Sequence, residues 1–242
     1  MKAVLVPKAA AILALAVFLP AGSALADDPV PLPHLRPPSA GGGASGAGAA
    51  ATAVAKPNAN VPFDPSLPFS AQQQQALANI DAYLHSFSLM EGKFIQVAPN
   101  GNQSDGIFFI SRPGKIRFHF NPPSQVDIIA SNGKVAVRDQ RVGTQDEYPL
   151  SKTPLRYLLA EYINLLQPGL VNDVQIGNGL IQVTIVEKSN LVSGQITMTF
   201  DLNTYALQRW VVTDAQGGQT SFGIYDTVIG KPQNPQLFWI VD

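Results

Sequence analysis

The side chains in this sequence that could do chemistry are few and scattered. Its three histidines are His34 in a Pro-rich stretch, His85 in a helical pattern and His119 in a strand pattern. They form neither an HExxH zinc helix nor a local His/carboxylate cluster. Asp146 and Glu147 are adjacent, but neighbours on a strand point to opposite faces and cannot share a proton. Gly41 to Gly48 is glycine-rich, yet no GKS/T ending follows and no strand precedes it, so no phosphate cradle is read there. Ser45 lacks the strand and helix that frame a nucleophile elbow. With 0 cysteines, disulfides and thiolate metal sites are excluded. No catalytic residue, metal or cofactor is expected, and the chain reads as a non-enzyme.

What stands out instead is apolar. Residues 104–123 read SDGIFFISRPGKIRFHFNPP, two strands around an Arg-Pro-Gly turn. Ile116, Phe118 and Phe120 alternate with Arg117, His119 and Asn121, which gives one greasy face and one wet face. Phe94, Phe108 or Phe109, Ile181, Val183, Ile185, Ile196, Met198 and Phe200 supply similar faces on other strands. Such faces make either an ordinary packed core or a container for an apolar ligand. Arg112 lies between two of these strands, and Pro113 holds it extended. Its five guanidinium donors could take backbone carbonyls of a covering helix, or it could be a surface arginine beside a turn.

These residues need a scaffold, and the pattern along the chain supplies one. Lys2 and Lys8, the apolar run from Ala9 to Leu19 and Ala24-Leu25-Ala26 read as a signal peptide over residues 1–26. The mature protein would then begin at Asp27 in the periplasm. Removing two of the 16 basic residues leaves 14 against 17 acidic ones, a balance that argues against nucleic acid as partner. Residues 27–66, rich in Pro, Gly and Ala, read as a disordered linker that cannot bury enough apolar area to offset ordering. Residues 67–242 suit one domain.

Within that domain, Ser70 followed by Gln73 signals a helix start, with Leu77, Ile80, Leu84 and Phe87 at helical spacing. The period then changes to two. Strands are expected at 89–98, 104–112, 114–121, 124–131, 134–140 and 143–149. A helical segment should follow, capped by Thr153 with Pro154 at its first position and carrying Leu155, Leu158, Leu159, Tyr162, Ile163 and Leu166. Strands resume at 171–177, 180–188, 194–202, 206–214 and 218–229, with a short last one near 237–241. Asn132-Gly133, Asn178-Gly179 and Gly217-Gly218 sit where hairpins need positive φ. The fold class is therefore mainly β with α: about eleven antiparallel strands curling into an unclosed barrel, with helices across an apolar interior.

The sequence resembles the LolA family of periplasmic lipoprotein carriers. The resemblance rests on EGKFIQ at 91–96, DGIFFISRPGKIRFHFNPP at 105–123 and IIASNGKVAVRD at 128–139. It continues through YPLSKTPLRYLL at 148–159 and, more loosely, TFDLNTYALQRWVVTDAQGGQTSFGIYD at 199–226. The 27–66 arm falls outside it. The resemblance implies a lid over an acyl-chain cavity, with Arg112 as lid latch and Phe94, Phe109, Ile116, Phe118 and Phe120 as wall; Val183 is left unassigned. Pro154, Leu155, Leu158 and Leu159 inherit the lid helix. The implied partners are acylated lipoproteins as cargo, an inner-membrane lipoprotein-releasing transporter as donor, and an outer-membrane acceptor or the outer membrane itself. A monomer is expected. Carriage of another acylated lipid or glycolipid, or a lipid-sensing regulator with this fold, are the alternatives.

Overall fold

A computed structural model describes residues 62–189 and 192–240. The expected signal peptide, residues 1–26, and residues 27–61 of the expected linker lie outside the described residues. The linker's last residues are already tied down: the Asp64 N–H donates to Gln74 Oε1 at 2.8 Å, and Gln74 Nε2 returns a bond to the Asp64 carbonyl at 2.8 Å.

The first helix, α1 (Ala71–His85), starts as its sequence requires. The Ser70 side chain accepts from the Gln73 N–H at 3.3 Å, while Gln73 Oε1 accepts from the Ser70 N–H at 2.8 Å, a reciprocal capping box. Leu77, Ile80 and Leu84 are buried on one face, and Phe87 is buried just beyond the helix end.

Eleven strands follow: β1 (Leu89–Val97), β2 (Gln103–Ser111), β3 (Lys115–Phe120), β4 (Val126–Ser131), β5 (Lys134–Asp139), β6 (Thr144–Pro149), β7 (Asp173–Gly177), β8 (Leu180–Ser189), β9 (Val192–Asp201), β10 (Leu207–Thr213) and β11 (Gln219–Ile229). All belong to one antiparallel sheet in the order β6-β5-β4-β3-β2-β1-β11-β10-β9-β8-β7. Asn132-Gly133 and Asn178-Gly179 turn two hairpins with φ of 50° and 76°, and of 52° and 76°. Positive φ at both central residues is what a turn matched to strand twist needs.

The sheet is not closed, because β6 and β7 remain its edges, but it curls strongly. Phe118 on β3 and Trp210 on β10 have ring centroids 6.0 Å apart. Four strand steps separate them, about 19 Å in a flat sheet. Only curvature brings the rings together, so the concave face holds the core.

Two expectations are corrected. The segment after β6 is a 3-10 turn over Leu150–Lys152 and a helix, α2, of only Leu155–Leu159. Pro154 caps that helix from outside, and the Thr153 hydroxyl donates back to the Leu150 carbonyl at 2.9 Å instead of capping it. From Ala160 the backbone turns extended, and Tyr162 is exposed. The expected last strand is a 3-10 turn, Pro235–Phe238, because Pro235 lacks a ladder N–H and Asn234 caps Gln236 N at 3.0 Å. Residues 241 and 242 lie outside the described residues.

Curvature also explains Gly106. A Cβ there would meet the His119 carbonyl oxygen at 2.1 Å and Phe94 Cε1 at 2.8 Å, whereas one at Gly223 would meet nothing within 4 Å. Gly106→Ala is expected to lose about 2–3 kcal/mol in urea unfolding, and Gly223→Ala to lose none. Equal effects in the two variants would contradict the close approach.

Candidate functional site

The concave wall is aromatic. Phe94 sits edge-on to Phe118 and Phe120, with centroids 5.1 and 4.9 Å away. Phe118 meets Phe222 at 5.3 Å, and Trp210 stacks on Phe222 at 5.2 Å and 13°. Strand alternation puts Ile116, Phe118 and Phe120 on this face, all buried. Val183 is fully buried on β8.

Phe109 is placed on the other face. It pairs with Arg117, while its neighbour Phe108 pairs with Phe118 and is fully buried. The inward aromatic of β2 is therefore Phe108. Both faces of this strand are apolar, so alternation alone could not choose between them. Trp210 and Phe222 escaped sequence reading for a related reason. A register shift between Leu207 and Arg209 breaks the period of two on β10. The signal that survives it is Trp210 and Val212, two apart on one face.

Arg112 reaches across the end of α1. Its Nη1 donates to the Leu84 carbonyl, and its guanidinium lies over the Phe87 ring at 4.4 Å. The last carbonyls of a helix have no partner within it and carry the negative end of its dipole, so a cation there is favourable. Yet Arg112 Nε is buried without a partner. Burial pulls the guanidinium down to about 10, with Tyr83 partly opposing it. The arginine stays charged at neutral pH, but at a desolvation cost.

Further contacts hold the segment between β6 and β7. The Gly114 N–H in the β2–β3 turn donates to the Leu159 carbonyl at 2.9 Å, which ties α2 to the turn bearing Arg112. Leu155, Leu158 and Leu159 are buried, and Pro154 and Tyr157 line a narrow cleft with Ile185 and Ile196. Beyond α2, two side chains one turn apart on α1 accept from the backbone of residues 160–170. Asp81 takes the Leu165 N–H at 3.1 and 3.2 Å, and His85 Nε2 takes the Ile163 N–H at 3.3 Å. Nothing in residue spacing announced this strap, since its partners are 78 and 84 positions apart.

His119 lies on the opposite, convex face. Its Nδ1 is 2.8 Å from Asp127 Oδ1, and Arg117 donates to the same oxygen at 3.0 and 3.1 Å. Gln140 Nε2 holds Asp127 Oδ2 at 2.7 Å. Asp127 is buried because the Pro235–Phe238 turn covers that face, with Arg117 Nη1 donating to Leu237 O at 3.4 Å. This cluster is a structural anchor remote from the aromatic wall.

A family model described as "Outer membrane lipoprotein carrier protein LolA" matches residues 85–241. No curated protein matches the chain in sequence. Among solved structures, a LolA superfamily protein from Nitrosomonas europaea is 10% identical with a TM-score of 0.40, covering 69% of this chain and 97% of its own. The Mycobacterium tuberculosis lipoprotein LppX is 12% identical with a TM-score of 0.37, covering 68% and 99%. A chain of the Pseudomonas aeruginosa MucA/MucB complex is 11% identical with a TM-score of 0.39, covering 66% and 59%.

Burial raises the Asp81 carboxyl to about 7, against the lowering pull of the Leu165 N–H. A folded value above the unfolded one means stability is greatest at low pH and lost as pH rises through about 7. Asp81→Asn imitates the neutral acid and keeps an oxygen for Leu165. Its melting temperature should exceed that of the parent by about 5 °C at pH 8, with the gap closing toward pH 4. A gap independent of pH would remove the assignment.

Proposed function

The chain belongs to the LolA family of outer membrane lipoprotein carrier proteins, and from that we propose that it carries lipoproteins through the periplasm from the inner to the outer membrane. Their acyl chains would lie against the concave wall of Phe94, Phe108, Ile116, Phe118 and Phe120, beneath α1 and α2. An inner-membrane lipoprotein-releasing transporter would act as donor. An outer-membrane acceptor, or the membrane itself, would take the cargo.

The observation that carries this reading is the state of Arg112. It bonds the Leu84 carbonyl and covers Phe87, but it does so half-satisfied and partly desolvated. A latch of that kind is easily broken by anything that compensates for its loss. An acyl chain is such a ligand. Each buried methylene is worth about 0.8 kcal/mol, so a 16-carbon chain gains roughly 12 kcal/mol. Against that gain, moving α1 and α2 exposes the apolar surface they cover. The two terms oppose each other, which keeps cargo from being trapped and lets a more apolar acceptor draw it off. Closure is thus the resting state, and cargo and lid compete for the same wall.

The test is release of newly made lipoproteins from spheroplasts into solution by the mature protein. Lipoprotein in the supernatant is the expected result. Free phospholipid or glycolipid bound with no lipoprotein released would overturn the assignment in favour of a lipid carrier. Arg112→Leu should leave far-ultraviolet circular dichroism unchanged and lower delivery of bound lipoprotein to outer-membrane vesicles about tenfold, the equivalent of one hydrogen bond to a charged group. Unchanged delivery would reduce Arg112 to a turn residue.

A further inference from the structure

The concave wall is not wholly apolar. Two polar atoms lie on it without hydrogen-bond partners, Trp210 Nε1 and Thr220 Oγ1. Both residues are deeply buried, at 1% and 0% exposure. Buried polar groups are nearly always paired, so two unpaired atoms on one wall call for an explanation.

Register puts them together. On β10 and β11, Trp210 lies opposite Phe222 and Val212 opposite Thr220. Trp210 and Thr220 are therefore diagonal neighbours on one face, about 7–8 Å apart at the backbone. That face is the concave one, because Trp210 and Phe222 both meet the Phe118 ring. An indole N–H can only donate, and a threonine hydroxyl can turn its hydrogen toward any acceptor. What these two lack in common is an acceptor, and an oxygen with two lone pairs could serve both. Methylenes attached to that oxygen's carbon would then run along Phe222, Phe118 and Phe94.

We infer that Trp210 and Thr220 form a carbonyl-binding station in the wall, at which the oxygen of an ester- or amide-linked acyl chain is held by two hydrogen bonds. The inference rests on the acyl-cargo reading and adds a selectivity to it. Chains joined through a carbonyl are retained over ether-linked chains of equal length. Hydrophobic burial cannot make that distinction, since the two chains offer the same apolar area.

The experiment uses the full mature chain loaded with diphenylhexatriene, a fluorescent hydrocarbon. Dioctanoylglycerol and its dioctyl ether analogue compete for the site. The ester should displace the probe at about one-tenth the concentration the ether needs, the ratio expected of one to two added hydrogen bonds. In Thr220→Val and Trp210→Phe that ratio should fall at least threefold. Thr220→Val, nearly isosteric and free of the unpaired hydroxyl, should also melt no lower than the parent, so it remains informative if Trp210→Phe misfolds. Equal displacement by ester and ether, or a ratio unchanged in Thr220→Val, overturns the carbonyl station and leaves the acyl-cargo reading standing. Displacement by neither competitor overturns both.

Discussion

Pairing of β1 with β11, from Met90 opposite Ile229 to Val97 opposite Ser221, governs the rest of this architecture. The strands form two antiparallel runs, β1 to β6 and β7 to β11, joined at their outer ends in sequence. The free edges, β6 and β7, are therefore successive in the chain but lie at opposite ends of the sheet. The connection between them has to travel from one edge to the other. It does so as α2 and the coil and turns after it. The position of this crossing segment follows from topology before any side chain is considered.

That crossing segment buries Leu155, Leu158 and Leu159 and lies beside Ile185 and Ile196, on a sheet whose aromatic face cannot stay exposed to water. Antiparallel sheets tolerate one wet face, but not a wet face of packed phenylalanines. The convex side meets a smaller version of the same demand with the Pro235–Phe238 turn, which buries Asp127 under Arg117 and His119. The two coverings differ in kind. On the convex side, both oxygens of the buried carboxylate are paired, which makes a satisfied and rigid seal. On the concave side, Arg112 Nε, Trp210 Nε1 and Thr220 Oγ1 are left wanting. Unmet hydrogen bonds on the face that would receive cargo lower the cost of changing its contents.

Local chemistry was legible in the sequence wherever a few neighbouring residues decide the outcome. Ser70 and Gln73 give the helix start, and Asn132-Gly133 and Asn178-Gly179 give hairpins. The alternation from Ile116 to Phe120 gives the face of β3. Features set by partners far along the chain were not legible. Phe108 faces inward and Phe109 outward because register with β3 sets them opposite Phe118 and Arg117. The helix expected through Leu166 stops at Leu159, since the backbone N–H groups of Ile163 and Leu165 find side-chain acceptors on His85 and Asp81. Helical propensity is a weak prior, and a tertiary acceptor for an extended N–H outweighs it. Arg112 was found by its setting between apolar strands, but its acceptor, the end of α1, is a product of the fold.

The part of the molecule on which opening would turn is α1 itself. Gln73 at its start donates to the Val174 carbonyl of edge strand β7 at 2.7 Å. Asp81 and His85 hold the crossing segment, and Leu84 receives Arg112 from the middle of the sheet. One helix thus joins a free edge, the crossing segment and Arg112. A rigid helix cannot leave one of these partners without straining the others, so loss of the Arg112 contact would loosen the strap as well. Each of these links runs to or from a main-chain group, and no buried ion pair is among them. Breaking the Gln73 and His85 bonds leaves neutral groups that water can satisfy, and Arg112 gives up one neutral carbonyl where parting a buried ion pair would leave two opposite charges unpaired. Anchors of this kind would suit the proposed cover, closed when empty and yielding to a ligand whose gain comes from apolar area.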